Sequence, residues 1–168
     1  DLRISPGTSR CAFLVHTPCE AENNYETHLY VSDFTVSYPI GMSGITSFAW
    51  VDDAALAVGR PSADSTQFAL LSLKDGSEGT VWNIPFDARI EGWVLGQLLI
   101  SARRPITEEK AQEDGSWTIL DELPIWEDGE GYRAKIRRQL FLCSYGGQPI
   151  RISPEEMDVR IVSAHSNG

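Results

Sequence analysis

The feature that constrains this chain most is a phrase of short strands that returns in phase. In its clearest copy, Ser47-Phe48-Ala49-Trp50 leads into a tight turn at Asp52-Asp53 and comes back as Ala55-Leu56-Ala57-Val58. A polar loop over 60–66 follows, then an apolar run over 67–73. A turn at Asp75-Gly76-Ser77-Glu78-Gly79 closes the phrase with a strand over 80–84. Runs rich in β-branched and aromatic residues, bounded by Gly, Pro, Asp and Ser, read as antiparallel hairpins.

An earlier copy opens with the turn Ile4-Ser5-Pro6-Gly7 and the strand Cys11-Ala12-Phe13-Leu14-Val15. After a polar loop over 20–26 come His28-Leu29-Tyr30-Val31 and a strand over 35–40, which Pro39 is expected to end because proline cannot donate into a central ladder. A later copy runs from 90–93 through a turn at Gly96-Gln97 to Leu98-Leu99-Ile100. A long insertion precedes Leu140-Phe141-Leu142-Cys143, the turn Gly146-Gly147 and Pro149-Ile150-Arg151-Ile152. A fourth copy begins at 158–162. Trp50 stands 46 residues after Ile4 and 43 before Trp93, and His165 keeps the same phase once the insertion is allowed for.

Four short strands in every ~40–50 residues are the pattern of propeller blades. A single blade is apolar on both faces and cannot bury them alone, so neighbours in the ring must cover it. A sandwich or irregular barrel also spaces its strands this closely. The phase of whole phrases favours the propeller. The expected fold is all-β: a partial β-propeller of about three to four four-stranded blades. The expected blades are 1–46, 47–89 and 90–156, the last with an insertion over 103–139, and a further blade starting at 157–168. Helical signal is confined to about one turn near 108–113, ended by Gly115.

Charge and composition exclude several classes. A chain of 168 residues with net charge −10 is a poor partner for nucleic acid, whose phosphates want a basic face. The longest apolar run, 94–100, is far too short to span a bilayer, so no membrane partner is expected. Asp1 is followed by no basic-then-apolar leader, and a signal peptide is expected to be absent or already removed. Cys11, Cys19 and Cys143 cannot all pair within the chain, and none sits in a CxxC motif. Free thiols in a reducing, cytoplasmic compartment are the expectation, with a Cys11–Cys19 bridge left open.

No complete catalytic site is visible. Gly-x-Ser-x-Gly, which presents a serine on a strained strand-to-helix turn, does not occur. Ser163 and His165 read as an edge strand. His16, His28 and His165 lack metal-ligand spacing, so neither a metal nor a cofactor is expected. The carboxylate pairs Asp52-Asp53, Glu108-Glu109, Glu113-Asp114, Asp121-Glu122 and Glu127-Asp128 are adjacent, and adjacent strand residues point to opposite faces. Turn chemistry and a solvated surface account for them.

The stretch 118–142 is the exception. It carries Trp126 between turn signals, then Arg133, Lys135, Arg137 and Arg138. The alternation of Arg133, Lys135 and Arg137 with Ala134 and Ile136 predicts an extended arm with one charged face. Pairing with the acidic half of the stretch, 121–130, is the plain reading. Contact with a neighbouring domain or with a peptide carboxylate is the functional one. Trp126 and Tyr132 would anchor the arm or cover a ligand, and Glu127, Asp128 and Glu130 are candidates to hold a peptide's free α-amino group.

Two stretches carry a family resemblance. Ser5-Pro6-Gly7-Thr8-Ser9-Arg10-Cys11-Ala12-Phe13, and in eroded form the run 50–58, resemble the repeated turn-and-strand phrase in propellers of prolyl oligopeptidase-type serine peptidases. TolB-like periplasmic propellers share that phrase, and Gly7 and Thr8 stand where Asp-Gly is usual. Leu123-Pro124-Ile125-Trp126-Glu127-Asp128-Gly129-Glu130-Gly131-Tyr132, followed by Gln139-Leu140-Phe141-Leu142, looks like the propeller insertion of the acylaminoacyl-peptidase and dipeptidyl-aminopeptidase branch.

The resemblance implies a non-catalytic propeller region of a hydrolase. It would cover an active site in a separate α/β-hydrolase domain, the expected partner, and restrict access to short peptide substrates. It implies a fragment of about half a family-sized ring, with Trp126, Glu127, Asp128, Glu130, Tyr132, Arg133 and Arg137 as candidate substrate or domain contacts. A homo-oligomer is open. The alternatives are a TolB-like or WD-repeat-like propeller acting as a protein-binding scaffold, and a carbohydrate-active enzyme built on the propeller, which would need two acids across a cleft.

Overall fold

The computed structural model describes residues 1–20, 23–106, 125–127, 131–133 and 135–162. They form three four-stranded antiparallel sheets in succession. The first holds β1 (Leu2–Ile4), β2 (Cys11–Cys19), β3 (Asn24–Ser32) and β4 (Ser37–Ser43), and the second β5 (Ser47–Asp52), β6 (Ala55–Ser62), β7 (Ser65–Ser72) and β8 (Trp82–Ile84). The third begins with β9 (Arg89–Val94) and β10 (Gln97–Pro105). The small hairpin of β11 (Ile125–Glu127) and β12 (Gly131–Arg133) follows, and the third sheet is completed by β13 (Ile136–Cys143) and β14 (Pro149–Arg151). In each sheet the strands lie in chain order, and the first strands lie side by side, β5 against β9 and β1 against β5. This is a partial all-β propeller. No helix among the described residues is long and apolar enough to cross a membrane.

The stacking follows from strand alternation. Phe48, Trp50, Leu56, Val58, Ala69 and Leu71 pack on Ala12, Leu29 and Val31 of the first sheet. The alternate residues Ala49, Ala57, Phe68, Trp82 and Ile84 pack on Ile90, Leu98, Ile100, Phe141 and Cys143 of the third. A sheet covered on both sides needs apolar residues at both parities, which is why Leu56-Ala57-Val58 is unbroken. Phe48 and Phe68 are fully buried, and each contributes about 1.5–3 kcal/mol by leaving water.

Polar contacts fix how the sheets meet. The Gly7 amide donates to Asp53 Oδ1 at 2.7 Å, so the turn after β1 docks on the turn after β5. A Cβ on Gly7 would fall 2.1 Å from that carboxylate, so a larger residue would push the Asp53 side chain aside. The Trp50 indole donates to the Arg3 carbonyl at 2.9 Å. The Arg3 guanidinium lies over Phe48, 5.6 Å from the ring centroid, and reaches past the second sheet into the third. There it donates to the carbonyls of Glu91 at 2.7 Å and Ile90 at 3.2 Å. Arg3 thus ties three sheets together. Burial pulls its pKa below the ordinary value, Glu91 opposes that shift, and the like charge of Arg89 adds to it.

Several sequence expectations change. β4 continues past Pro39 to Ser43, with Pro39 opposite Tyr30; β4 is an edge strand, where a missing amide costs no ladder bond. The turn expected at Gly96-Gln97 sits at Leu95-Gly96, with Val94 opposite Gln97. Residues 103–105 and 136–139, read as insertion, belong to the sheet: Arg103 pairs with Arg138, Arg104 with Arg137 and Pro105 with Ile136. Their charges hide strands that run on beyond the apolar core, where Arg104 stacks on Phe86 at 4.8 Å. The alternating arm is interrupted, because Lys135 has φ of 55° and turns the chain between β12 and β13. The stretch 158–162, expected to begin a fourth phrase, forms no strand. It runs beside β13, with the Val159 amide donating to the Arg138 carbonyl at 3.0 Å and Asp158 Oδ1 accepting from the Arg138 amide at 2.6 Å. Cys11 and Cys19 occupy opposite ends of β2, roughly 26 Å apart in an extended strand, so they cannot bridge. All three cysteines are free.

Two stability predictions follow from this geometry. Leu95 and Gly96 have φ of 51° and 77°, the backbone of a type I′ turn, and Leu95 is 76% exposed. Left-handed backbone strains a branched residue, so Leu95→Asn is expected to raise stability by about 0.5–1 kcal/mol. A fall in the urea midpoint would show that Leu95 makes a compensating contact. Arg3→Met keeps the stem over Phe48 and removes the donors; its expected cost is about 1.5–3 kcal/mol in the same measurement. A loss below about 0.5 kcal/mol, the scale of an ordinary surface change, would rule out Arg3 as a tie.

Candidate functional site

The strand segments nearest the root of the insertion enclose a groove of about 540 Å³. Asp1 and Arg3 border it from the first sheet, and Arg89, Glu91, Ser101 and Arg138 from the third. Asp87 and Arg103 complete its charged lining. Four of the chain's 14 lysines and arginines therefore gather here on a protein of net charge −10.

Register explains the gathering. Ser101 lies opposite both Arg89 and Leu140, and Arg103 opposite Arg138, so these side chains share the face of the third sheet that points away from the second. Glu91 is the extra residue of a bulge between the pairs Leu99–Gly92 and Ile100–Ile90. Bulges re-aim side chains, and here Glu91 Oε1 accepts from the Ser101 hydroxyl at 2.5 Å. Asp1 stands 3.4 Å from Arg3. Two of the three carboxylates thus have partners in the wall. The groove presents donors on rigid strands, a surface suited to holding a small anionic group.

Of the basic residues singled out from the sequence, Arg138 borders the groove; the candidate contact residues lie elsewhere or outside the described residues. Trp126, Glu127, Tyr132 and Arg133 fall in the β11–β12 hairpin, where Trp126 pairs with Tyr132 and Glu127 with Gly131. Asp128 and Glu130 lie outside the described residues, as do Ser163 and His165. Arg137 is on β13, opposite Arg104, and donates to the carbonyls of Glu156 and Ile136, both at 3.2 Å. It points to the opposite face from Arg138 and does not line the groove. His16 sits 2.9 Å from Thr27 Oγ1, and His28 lies 3.3 Å from Glu26. Asp52 and Asp53 cap turns through Ala54 and Gly7. Among the described residues no three His, Cys, Asp or Glu side chains gather as a metal would need.

Arg3, Arg89, Glu91, Ser101 and Arg103 were not candidates in the sequence. Their signal was present: Arg89-Ile90-Glu91 and Ser101-Ala102-Arg103 place polar residues at period two inside strands that are otherwise apolar at both parities. Such an alternation marks the point where one face of a blade stops being covered.

No family model and no curated protein matches the sequence. Solved structures do match in fold. An acylaminoacyl peptidase in complex with Z-Gly-Gly-Phe-chloromethyl ketone superposes with a TM-score of 0.65 at 17% identity, over 87% of this chain and 23% of that one. The acylaminoacyl peptidase of Pyrococcus horikoshii gives a TM-score of 0.63 at 17% identity, over 84% of this chain and 22% of that one. The β-propeller domain of the Trilobed protease from Pyrococcus furiosus, described as having an open velcro topology, gives 0.53 at 13% identity, over 91% and 42%. The chain therefore has the fold of part of a β-propeller, one it shares with two acylaminoacyl peptidase structures over less than a quarter of their length.

Proposed function

We propose that this chain is propeller from a serine peptidase of the acylaminoacyl-peptidase type, covering the active site of an α/β-hydrolase domain and admitting only short peptides. The observation that carries the reading is the shared arrangement of three successive four-stranded sheets with solved peptidase propellers. A blade's faces are used for packing, which leaves the axis and the long connection as the places to meet a substrate or partner. In this chain the long connection is distinctive: it leaves β10 after Pro105 and returns to β13 at Ile136, beside two arginine–arginine pairs of the ladder. In this reading the β11–β12 hairpin contacts the hydrolase domain, and the hydrolytic chemistry is acyl transfer to a serine outside residues 1–168.

The test is activity-based labelling of the protein in its source. Extract is treated with a fluorophosphonate probe, and the protein is isolated with an antibody raised against residues 1–168. The expected result is a labelled serine in a hydrolase segment linked to, or co-purifying with, this chain. Turnover of acetylated peptides is expected to fall steeply with peptide length. No labelled serine in the isolate would overturn the reading and favour a binding scaffold. Fluorophosphonate-sensitive turnover by the isolated 168-residue chain would put the chemistry in the wrong place.

A further inference from the structure

The outer strand of the third sheet breaks at a definite point. Leu142 lies opposite Ile150, a register that would set Ile152 opposite Leu140 and Pro154 opposite Arg138. The Ile152 amide donates to the Leu140 carbonyl at 2.9 Å, as that register requires. Pro154 has no amide to give to the Arg138 carbonyl, so the ladder stops there. The chain swings out and comes back at Asp158. The Val159 amide then donates to the Arg138 carbonyl at 3.0 Å, and Asp158 Oδ1 accepts from the Arg138 amide at 2.6 Å. The near side of this excursion rests on the core: Ser153 Oγ accepts from the Leu140 amide at 2.9 Å, and the buried Gln139 side chain donates to the Glu155 carbonyl at 3.2 Å. The far side rests on the half-buried arginines, with Arg137 Nε donating to the Glu156 carbonyl at 3.2 Å and the Arg138 backbone bonded to Asp158 and Val159.

The same boundary runs through the ladder beneath. Ala102 and Gln139 face each other and are both buried. The pairs beyond them, Arg103–Arg138, Arg104–Arg137 and Pro105–Ile136, are half-buried or exposed. There the pairing is held by hydrogen bonds more than by burial, and such bonds are individually weak beside water. We propose that segment 154–159 is a clasp on this end of the ladder and that Asp158 is its catch. Closed, it keeps β10 and β13 paired out to Pro105–Ile136. Open, it lets them part back to Ala102–Gln139, so that 103–105 and 136–138 join the long connection between the two strands. Three more extended residues on each side lengthen the reach of that connection by roughly 10 Å. The clasp is a conformational device of the blade itself and does not rest on the peptidase reading.

Residue-resolved amide hydrogen exchange on the 168-residue chain tests the clasp. Asp158 is exposed, so its replacement is not expected to disturb the core. In D158A the Arg138 amide is expected to exchange about tenfold faster, the worth of one charge-assisted hydrogen bond. The Arg104 amide, across the ladder on β10, should quicken by a similar factor. Ile100 and Leu142, on the buried side of the boundary, should keep their wild-type rates. D158N retains Oδ1 as an acceptor and should lie near wild type. E156A removes the same charge from the excursion without removing the catch, and should also lie near wild type. Faster exchange at Arg138 with Arg104 unchanged would make Asp158 an ordinary surface contact and overturn the proposal. Equal acceleration at Ile100 and Leu142 would overturn it by showing loss of the whole sheet, and E156A behaving as D158A would do so by showing an effect of charge alone. None of these outcomes touches the serine-labelling result.

Discussion

Everything in this structure depends on the second sheet being covered on both sides. A four-stranded sheet that is apolar on both faces has no stable existence alone in water, since it cannot bury either face within itself. The two faces are solved differently. Toward the third sheet, side chains grow outward from Ala49 and Ala57 to Phe68 and Trp82. Small residues let the inner strands β5 and β9 approach, and large ones fill the gap as the sheets diverge. Toward the first sheet the bulk is carried inward by Phe48 and Trp50, opposite Ala12. Volume complementarity of this kind decides which neighbour each face accepts.

Burial is non-directional, so it cannot by itself set the angle between sheets. The polar seams do that. The Ser47 hydroxyl accepts from the Ile90 amide at 3.0 Å, and Thr66 Oγ1 accepts from the Ala88 amide at 2.8 Å, locking the second sheet to the start of the third. On the other side Gly7, Arg10 and Arg3 hold the first sheet through Asp53 and Trp50. The Ile90 and Ala88 amides would otherwise be buried and unpaired, while the bonds to Asp53 join exposed turns.

The blades were legible because their strands are apolar at both parities over short, turn-bounded runs, a pattern few other folds share. What escaped the sequence had a local reason in each case. Arg103, Arg104, Arg137 and Arg138 look like the start of a polar loop, yet they extend β10 and β13 because arginine stems pack along the sheet while their heads reach beyond it, Arg104 to the Phe86 ring and Arg137 to backbone carbonyls. Pro39 looks like a strand end, but only in a central strand; edge status is a property of the assembled sheet. Gly7, a departure from the usual turn residue, makes sense only once Asp53 from 46 residues later is seen to supply a carboxylate at that turn. The groove was invisible for a different reason. Its charges come from β1, β9, β10 and β13, and no spacing rule links Asp1 or Arg3 to Arg138 before the sheets are stacked. The candidates in the insertion were chosen for chemical character alone, and of them only Arg137 has its side-chain contacts described.

Placement then connects the groove to the insertion. The Arg103–Arg138 rung is at once the wall of the groove and nearly the last paired rung of the β10–β13 ladder, two pairs before the chain departs at Ile106 and returns at Lys135. The ladder nevertheless runs on through Arg104–Arg137 and Pro105–Ile136, because opposed charges cost little once each head and backbone has its own partner. Arg104 lies on the Phe86 ring, Arg137 donates to the carbonyls of Glu156 and Ile136, and the Arg138 backbone is held on its outer side by Asp158 and Val159. The end of the third sheet is thus kept paired by contacts outside the ladder, as the stacking of the sheets is kept in register by contacts outside the core.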